Sequence, residues 1–158
     1  MIFATVGGQL PFDRLVKSVD MWSSAHEDQQ VFAQIGNAAF VPQHAQWRRF
    51  LNRQEFSERM NAASVIVSHA GMGTILTALE LRKPILVLPR RRHLREHRND
   101  HQWATVKHLR SSWGVQVAED EDQLLRRLDE LDQWPTAVPA QSAECQKLVE
   151  FLRSFVSG

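Results

Sequence analysis

Val65-Ile66-Val67-Ser68-His69-Ala70-Gly71-Met72-Gly73-Thr74, continued by Ile75-Leu76-Thr77-Ala78-Leu79-Glu80-Leu81-Arg82-Lys83-Pro84, is the stretch around which the chain is organised. The β-branched run at 65–67 reads as a buried strand, the glycines at 71 and 73 permit a tight turn, and good helix formers resume at Thr74. A helix that starts directly off a buried strand presents unpaired N–H groups and the positive end of its dipole, and glycines let an anion approach that backbone. A phosphate is the natural guest. Glycines at such turns also serve purely structural ends, so the surrounding residues have to decide. Gly71 and Gly73 match the first two glycines of the dinucleotide fingerprint, but Leu76 stands at the third, which argues against a nicotinamide cofactor. No Gly-Lys-Ser/Thr triplet follows, so the lysine and magnesium chemistry of a P-loop is absent as well.

On either side of this stretch, short apolar runs alternate with helical periods. Residues 2–6 form a first strand ending in Gly7-Gly8, and residues 31–35 form a second ending in Gly36. Leu15, Val16 and Val19 recur at helical spacing after Pro11, which predicts a helix over residues 11–22, with 23–28 as its connection. Residues 37–54 break every period except for a brief extended piece at 47–51. Residues 55–61 read as helix, and Ile85-Leu86-Val87-Leu88 as a buried strand closed by Pro89. After the charged run at 90–98, a helix is expected over 99–110, a strand over 115–117 and a helix over 123–131. Beyond a proline-containing spacer at 134–139, a last helix is expected over 141–156. Its Leu148, Phe151, Leu152, Phe155 and Val156 form a broad apolar stripe. This alternation gives right-handed βαβ crossovers and a parallel sheet with helices on both faces. Such sheets bind ligands beyond the carboxyl ends of their strands, where residues 5–8, Gly36, residues 68–73 and Pro89 would converge.

Composition narrows the classes of function. A chain of 158 residues with 43% hydrophobic and 23% charged residues is expected to fold as one soluble domain. A formal net charge of +1 gives no indication of nucleic acid as a partner. Cys145 is alone, so no internal disulfide is possible, and no charged-then-apolar leader precedes the first strand. The expected compartment is the cytoplasm. No apolar run reaches the roughly 20 residues needed to span a bilayer, so membrane contact would be peripheral or through a partner. His93, His97 and His101 are the only histidines at i, i+4 spacing, and they straddle a loop-to-helix junction without a His-Glu-x-x-His pattern, so no metal is expected. No Gly-x-Ser-x-Gly elbow offers a nucleophile.

Ser68-His69-Ala70-Gly71-x-Gly73-Thr74, followed by Lys83-Pro84, an apolar strand and Asp100-His101-Gln102, resembles the donor site of glycosyltransferase family 28 and its UDP-glycosyltransferase relatives. The likeness extends from Thr5-Val6-Gly7-Gly8 with Pro11-Phe12-Asp13 to about Leu109. It is strongest to the small subunits of two-subunit enzymes, such as the dolichol-pathway N-acetylglucosaminyltransferase and bacterial exopolysaccharide glucuronosyltransferases.

The resemblance implies a single Rossmann-like domain over residues 1–158, equivalent to the carboxy-terminal half of a GT-B transferase. It implies an inverting hexosyltransferase that needs no cofactor and takes glucuronate or N-acetylglucosamine from a UDP-sugar donor. The lipid-linked acceptor would be reached through a membrane-anchored acceptor-binding subunit, and the helix at 140–156 would either dock on that partner or pack against its own sheet. By the same resemblance His69 stabilises the donor diphosphate, while Gly7, Gly8, Gly71, Gly73 and Thr74 surround it. Asp100, His101 and Gln102 would meet the sugar, and Phe50 and Leu51 the uracil. Thr77 stands where many relatives carry a ribose-binding carboxylate. The run at 90–98 reads as solvated loop or as a basic surface facing a lipid phosphate. A UDP-sugar sensor without transferase activity is the alternative, and an epimerase would normally carry its own second domain.

Overall fold

The computed structural model describes residues 1–8, 10–109, 114–134 and 143–156. In chain order the elements are β1 (Ile2–Thr5), α1 (Asp13–Ala25), β2 (Val31–Gln34), β3 (Gln46–Arg48), α2 (Arg53–Ala62), β4 (Val65–His69) and α3 (Met72–Glu80). There follow β5 (Ile85–Leu88), α4 (His101–Leu109), β6 (Val115–Val117), α5 (Glu121–Asp129) and α6 (Ala143–Val156), with 3-10 turns at Arg92–Leu94 and Leu131–Gln133. The six strands pair in parallel in the order β3-β2-β1-β4-β5-β6. This is the doubly wound order of an α/β sheet. The chain runs outward from β1 to β3, crosses back to β4, and runs outward again on the other side.

Alternation along the central strands divides the core in two. Ala4, Ala33, Val67, Leu86 and Leu88 pack under Leu15, Val16, Val19 and Trp22 of α1 and Leu124 and Leu128 of α5. On the opposite face Phe3, Phe32, Ile66, Ile85 and Val87 meet Met60 of α2, Ile75, Ala78 and Leu79 of α3, Val106 and Leu109 of α4, and Leu152 of α6. Both faces are covered, so β1, β2 and β5 are buried along their whole length and β4 up to Ser68, as continuous apolar runs require.

Several boundaries differ from the sequence reading, each for a local reason. α2 begins at Arg53 because Asn52 and Glu55 form a reciprocal capping box. α3 begins at Met72, with Ile75 N–H already bonded to Gly71 C=O, so the glycine turn is tighter than a start at Thr74 implies. α4 begins at His101, whose N–H is held by Asn99 Oδ1. α5 begins at Glu121 because Asp120 caps it through Gln123 N–H. The helix expected to start at 141 begins at Ala143 among the described residues, and the spacer beyond Trp134 lies outside them.

The unpatterned segment after β2 owes its order to a distant residue. Asp20 of α1 is 4% exposed, and its carboxylate accepts the N–H groups of Gln43, His44 and Ala45 at 2.8–3.1 Å. Burial pushes its pKa up, but the three backbone donors outweigh that and hold it below the usual carboxylate range.

The last helix is tied to its own domain. Leu152 is fully buried, Leu148 and Val149 pack against the same core, and Arg153 pairs with Glu80 of α3 at 2.8 Å. Deleting residues 146–158 would therefore remove core, contrary to a reading in which the whole stripe waits for a partner. No helix of the described residues is long and apolar enough to cross a membrane.

Candidate functional site

β1 and β4 are neighbours at the point where the connections diverge to opposite sides, and a crevice opens beyond their carboxyl ends. It holds a cavity of about 310 Å³ bounded by Gly7, Gly8, His69, Gly71, Gly73 and Thr74, with Val6, Leu10, Arg90, His97 and Gln102 completing the wall. A wider depression of about 760 Å³ lies along the outer face of α2, lined by Arg53, Gln54, Ser57 and Glu58, all from one helix whose start is already capped by Asn52.

The four glycines do two different jobs. A Cβ on Gly71 would lie 2.2 Å from His69 Nε2, and one on Gly7, whose φ is +75°, would lie 2.8 Å from His69 Cε1. These two glycines therefore make room for the imidazole, which lies between them. At Gly8 and Gly73 a Cβ would meet nothing within 4 Å among the described residues. Their missing side chains open the cavity itself.

His69 ends β4, paired in register with Leu88. Its Nδ1 is buried and makes no hydrogen bond of good geometry among the described residues, although the Thr5 backbone lies close enough to favour the protonated ring, while the Nε2 side of the ring borders the cavity. Burial first, then the positive charge of Arg90 and the proximity of His97, push its pKa down to about 4, against an opposing contribution from the Thr5 backbone. The ring is neutral at neutral pH. It offers a hydrogen bond to a ligand, not a cation.

α3 starts at the cavity floor with Gly71 in the N-cap position and no side-chain cap. The N–H groups of Met72, Gly73 and Thr74 are thus the first-turn donors of an uncapped helix, turned toward the cavity with the positive end of the dipole behind them. Thr74 lines the cavity.

Arg90 corrects the reading of residues 90–98 as solvated loop. It is 3% exposed, and its guanidinium donates to the carbonyls of Val6, Leu10, Pro11 and Glu96 at 2.6–3.1 Å while lying 4.7 Å from the Phe12 ring centroid. Burial lowers its pKa to about 10, partly offset by Glu96. Glu96 is buried in turn, bridged to Arg14 at 2.7 Å and accepting Arg91 N–H at 2.8 Å. A charge at this depth needs partners far away in sequence, and no local pattern announces them. The cavity-facing roles of Arg90 and His97 were not legible in the chain for that reason.

Gln102, on the first turn of α4, accepts Arg90 N–H through Oε1 at 3.1 Å, which leaves its amide N–H₂ to donate into the cavity. The other expected contacts lie outside the lining. Asp100 is exposed and accepts Arg92 N–H, and His101 is exposed beside it. Thr77 donates back to Gly73 C=O within α3. Phe50 is 53% exposed beyond β3, and Leu51 packs against the core face under α2.

The family model described as the glycosyltransferase family 28 C-terminal domain matches residues 1–155. The chain belongs to that family. Among solved structures the family 28 chain is similar to ALG13 in solution, with a TM-score of 0.63 at 18% identity over 99% of this chain and 96% of that one. It is also similar to the glycosyltransferase of kitacinnamycin, with a TM-score of 0.60 at 19% identity over 97% of this chain and 39% of that one. UDP-glucose:anthocyanidin 3-O-glucosyltransferase in complex with UDP gives 0.58 at 11% identity over 99% and 35%. No curated protein sequence matches. At such identities the likeness is one of fold, and the family 28 chain spans about two-fifths of the length of the larger enzymes. Its fold is that of the donor-binding, carboxy-terminal half of a GT-B glycosyltransferase.

Proposed function

We propose that this chain is the donor-binding, catalytic half of an inverting hexosyltransferase that moves glucuronate or N-acetylglucosamine from a UDP-sugar to a lipid-linked acceptor. The observation that carries the reading is the cavity at the β1/β4 switch point, where an uncapped helix start, a neutral His69 and the free amide of Gln102 face one volume. The helix N–H groups and the Nε2 side of His69 suit a diphosphate, and Gln102 suits a sugar hydroxyl. In transfer, an acceptor hydroxyl attacks the anomeric carbon from the face opposite the nucleotide, the bond to the β-phosphate oxygen breaks, and the charge arriving on UDP falls on these donors. The arrangement uses no cofactor. A separate, membrane-anchored subunit supplies the acceptor half and the base, and holds this chain at the cytoplasmic face of the membrane. The outward side of α6 is the part of the terminal helix left for that contact, since Leu152 is already covered.

Titration calorimetry tests the site. Thr74→Val and Gly73→Val should each weaken UDP about ten- to hundredfold, the first by removing a bond to a charged group and the second by filling the opening. Gln102→Ala should weaken the UDP-sugar and spare UDP. Unchanged affinity in folded variants of residues 73 and 74 would refute the reading.

A further inference from the structure

The arginines between residues 90 and 98 are used in two ways. Arg90 and Arg91 turn inward, the first onto four carbonyls and the second over the Trp103 ring at 3.6 Å with a bond to Glu119 C=O. Arg92, Arg95 and Arg98 are exposed, and none of them pairs with an acid among the described residues. Between them Leu94 is 48% exposed at the end of the Arg92–Leu94 turn.

The turn is held firmly. Arg95 takes a left-handed conformation with φ of 58°, closed by its N–H on Arg92 C=O, and Glu96 N–H bonds to Arg91 C=O. The Glu96 carboxylate is locked by Arg14 beneath. Arg90 ties the same platform to Leu10, itself 36% exposed, at the rim of the cavity. An exposed apolar side chain is thus presented with three exposed arginines of the same loop, on a base held by Arg90, Arg14 and Glu96.

Charge is distributed to match. The run carries five arginines and one glutamate, while the whole chain is only +1, so the remainder is net acidic. Exposed Glu27, Asp28, Asp129, Glu130 and Asp132 outnumber exposed Arg82, Arg126 and Arg127 where α1, α3 and α5 end, at the opposite end of the sheet from the cavity. At the cavity end Glu121 is paired with Arg14, while Asp100, which accepts Arg92 N–H, Asp120, which caps α5, and Asp122 are exposed acids beside the run. Such a molecule meets a negative surface with its cavity end first.

We propose that the Arg92–Leu94 turn, with Arg95 and Arg98, is a bilayer-contacting surface that sits on anionic phospholipid and turns the cavity toward the membrane. The guanidinium groups bind headgroup phosphates and Leu94 enters the interfacial layer. This deepens the transferase reading, since a lipid-linked acceptor would arrive from that surface, but the contact itself requires only lipid.

Cosedimentation of the purified chain with vesicles tests it without any sugar transfer. The chain should bind phosphatidylglycerol/phosphatidylcholine vesicles, bind pure phosphatidylcholine far less, and lose binding as salt rises. The triple variant Arg92→Gln, Arg95→Gln, Arg98→Gln should bind about 100-fold more weakly, at roughly fivefold per basic residue. Leu94→Ser should cost about three- to tenfold at unchanged charge. Both variants change exposed side chains and should keep the wild-type affinity for UDP. Equal binding to neutral and anionic vesicles, or undiminished binding by the triple variant, overturns the proposal. So does a triple variant that loses UDP and vesicles together, which would place the arginines in the cavity. Vesicle binding unaffected while an acceptor subunit no longer co-purifies would assign the patch to protein instead. Failure of UDP to bind the wild-type chain would count against the transferase reading and leave the vesicle result standing.

Discussion

The turn after β4 and the loop after β5 meet at one cavity, yet they are built by opposite means. The turn is made from consecutive residues: strand, His69, Gly71, uncapped helix start. The loop after β5 is made from residues that converge across the fold, with Arg90 bonded to residues 79, 80 and 84 positions away and Glu96 bonded to Arg14, 82 positions away. The first has its chemistry in the backbone, so local sequence carries it. The second has its chemistry in side-chain partners, so the same string of arginines reads as solvated surface until the fold is known.

The sharpest way to break this contrast is Arg90→Ala. It leaves four inward-facing carbonyls without their donor and removes the cation beside Glu96, and it should destabilise the chain by about 3–5 kcal/mol. Urea denaturation measures it. A loss under about 1 kcal/mol would return residue 90 to the class of exposed arginines, alongside Arg92, for which Arg92→Ala should be close to neutral.

The next effect belongs to the turn and depends on pH. His69 has a folded-state pKa of about 4, below its ordinary 6.5, so between those values the unfolded chain binds a proton that the folded chain does not. Stability should therefore fall as pH drops from about 6.5 to about 4, by up to about 3 kcal/mol from this residue. Above 6.5 its contribution should be flat. The difference in unfolding free energy between wild type and His69→Gln, followed across that window, isolates it from the other histidines. A difference that does not change with pH would mean that the ring is not desolvated.

A smaller effect separates the two kinds of glycine. Gly71→Ala puts a Cβ against His69 and should cost about 1–3 kcal/mol, while Gly8→Ala enters open space and should change stability by less than about 0.5 kcal/mol. Combining Gly71→Ala with His69→Ala should recover part of the loss, because the clash is with the ring. Thermal unfolding of the four proteins gives the coupling. Equal costs at 71 and 8 would mean that the imidazole does not lie where Gly71 leaves room for it.

The strand order was legible as a class, a parallel sheet with both faces covered, because continuous apolar runs can be buried only that way. Helix starts shifted by a residue or two where caps such as Asn52, Asn99 and Asp120 set them. The segment from 37 to 45 stayed unreadable because Asp20, on a different element, supplies its acceptors. At the site, Gly7, Gly8, His69, Gly71, Gly73, Thr74 and Gln102 come together, whereas Thr77, Asp100, His101, Phe50 and Leu51 do not line the same cavity. A motif fixes spacing along the chain. It does not say which side of a helix or loop the next side chain takes.

By itself the sequence determined what depends on neighbours along the chain: the alternation of strands and helices, the glycine turn that bares a helix start, and the likeness to a donor-binding family. The tertiary structure alone decided which glycines make room for His69 and which leave the cavity open, that Arg90 is buried while Arg92, Arg95 and Arg98 are exposed, and that Leu152 belongs to the core. The reason is range. Backbone propensity and hydrophobic period act over a few residues, whereas desolvating a charge or closing a cavity depends on groups brought together only when the sheet is complete.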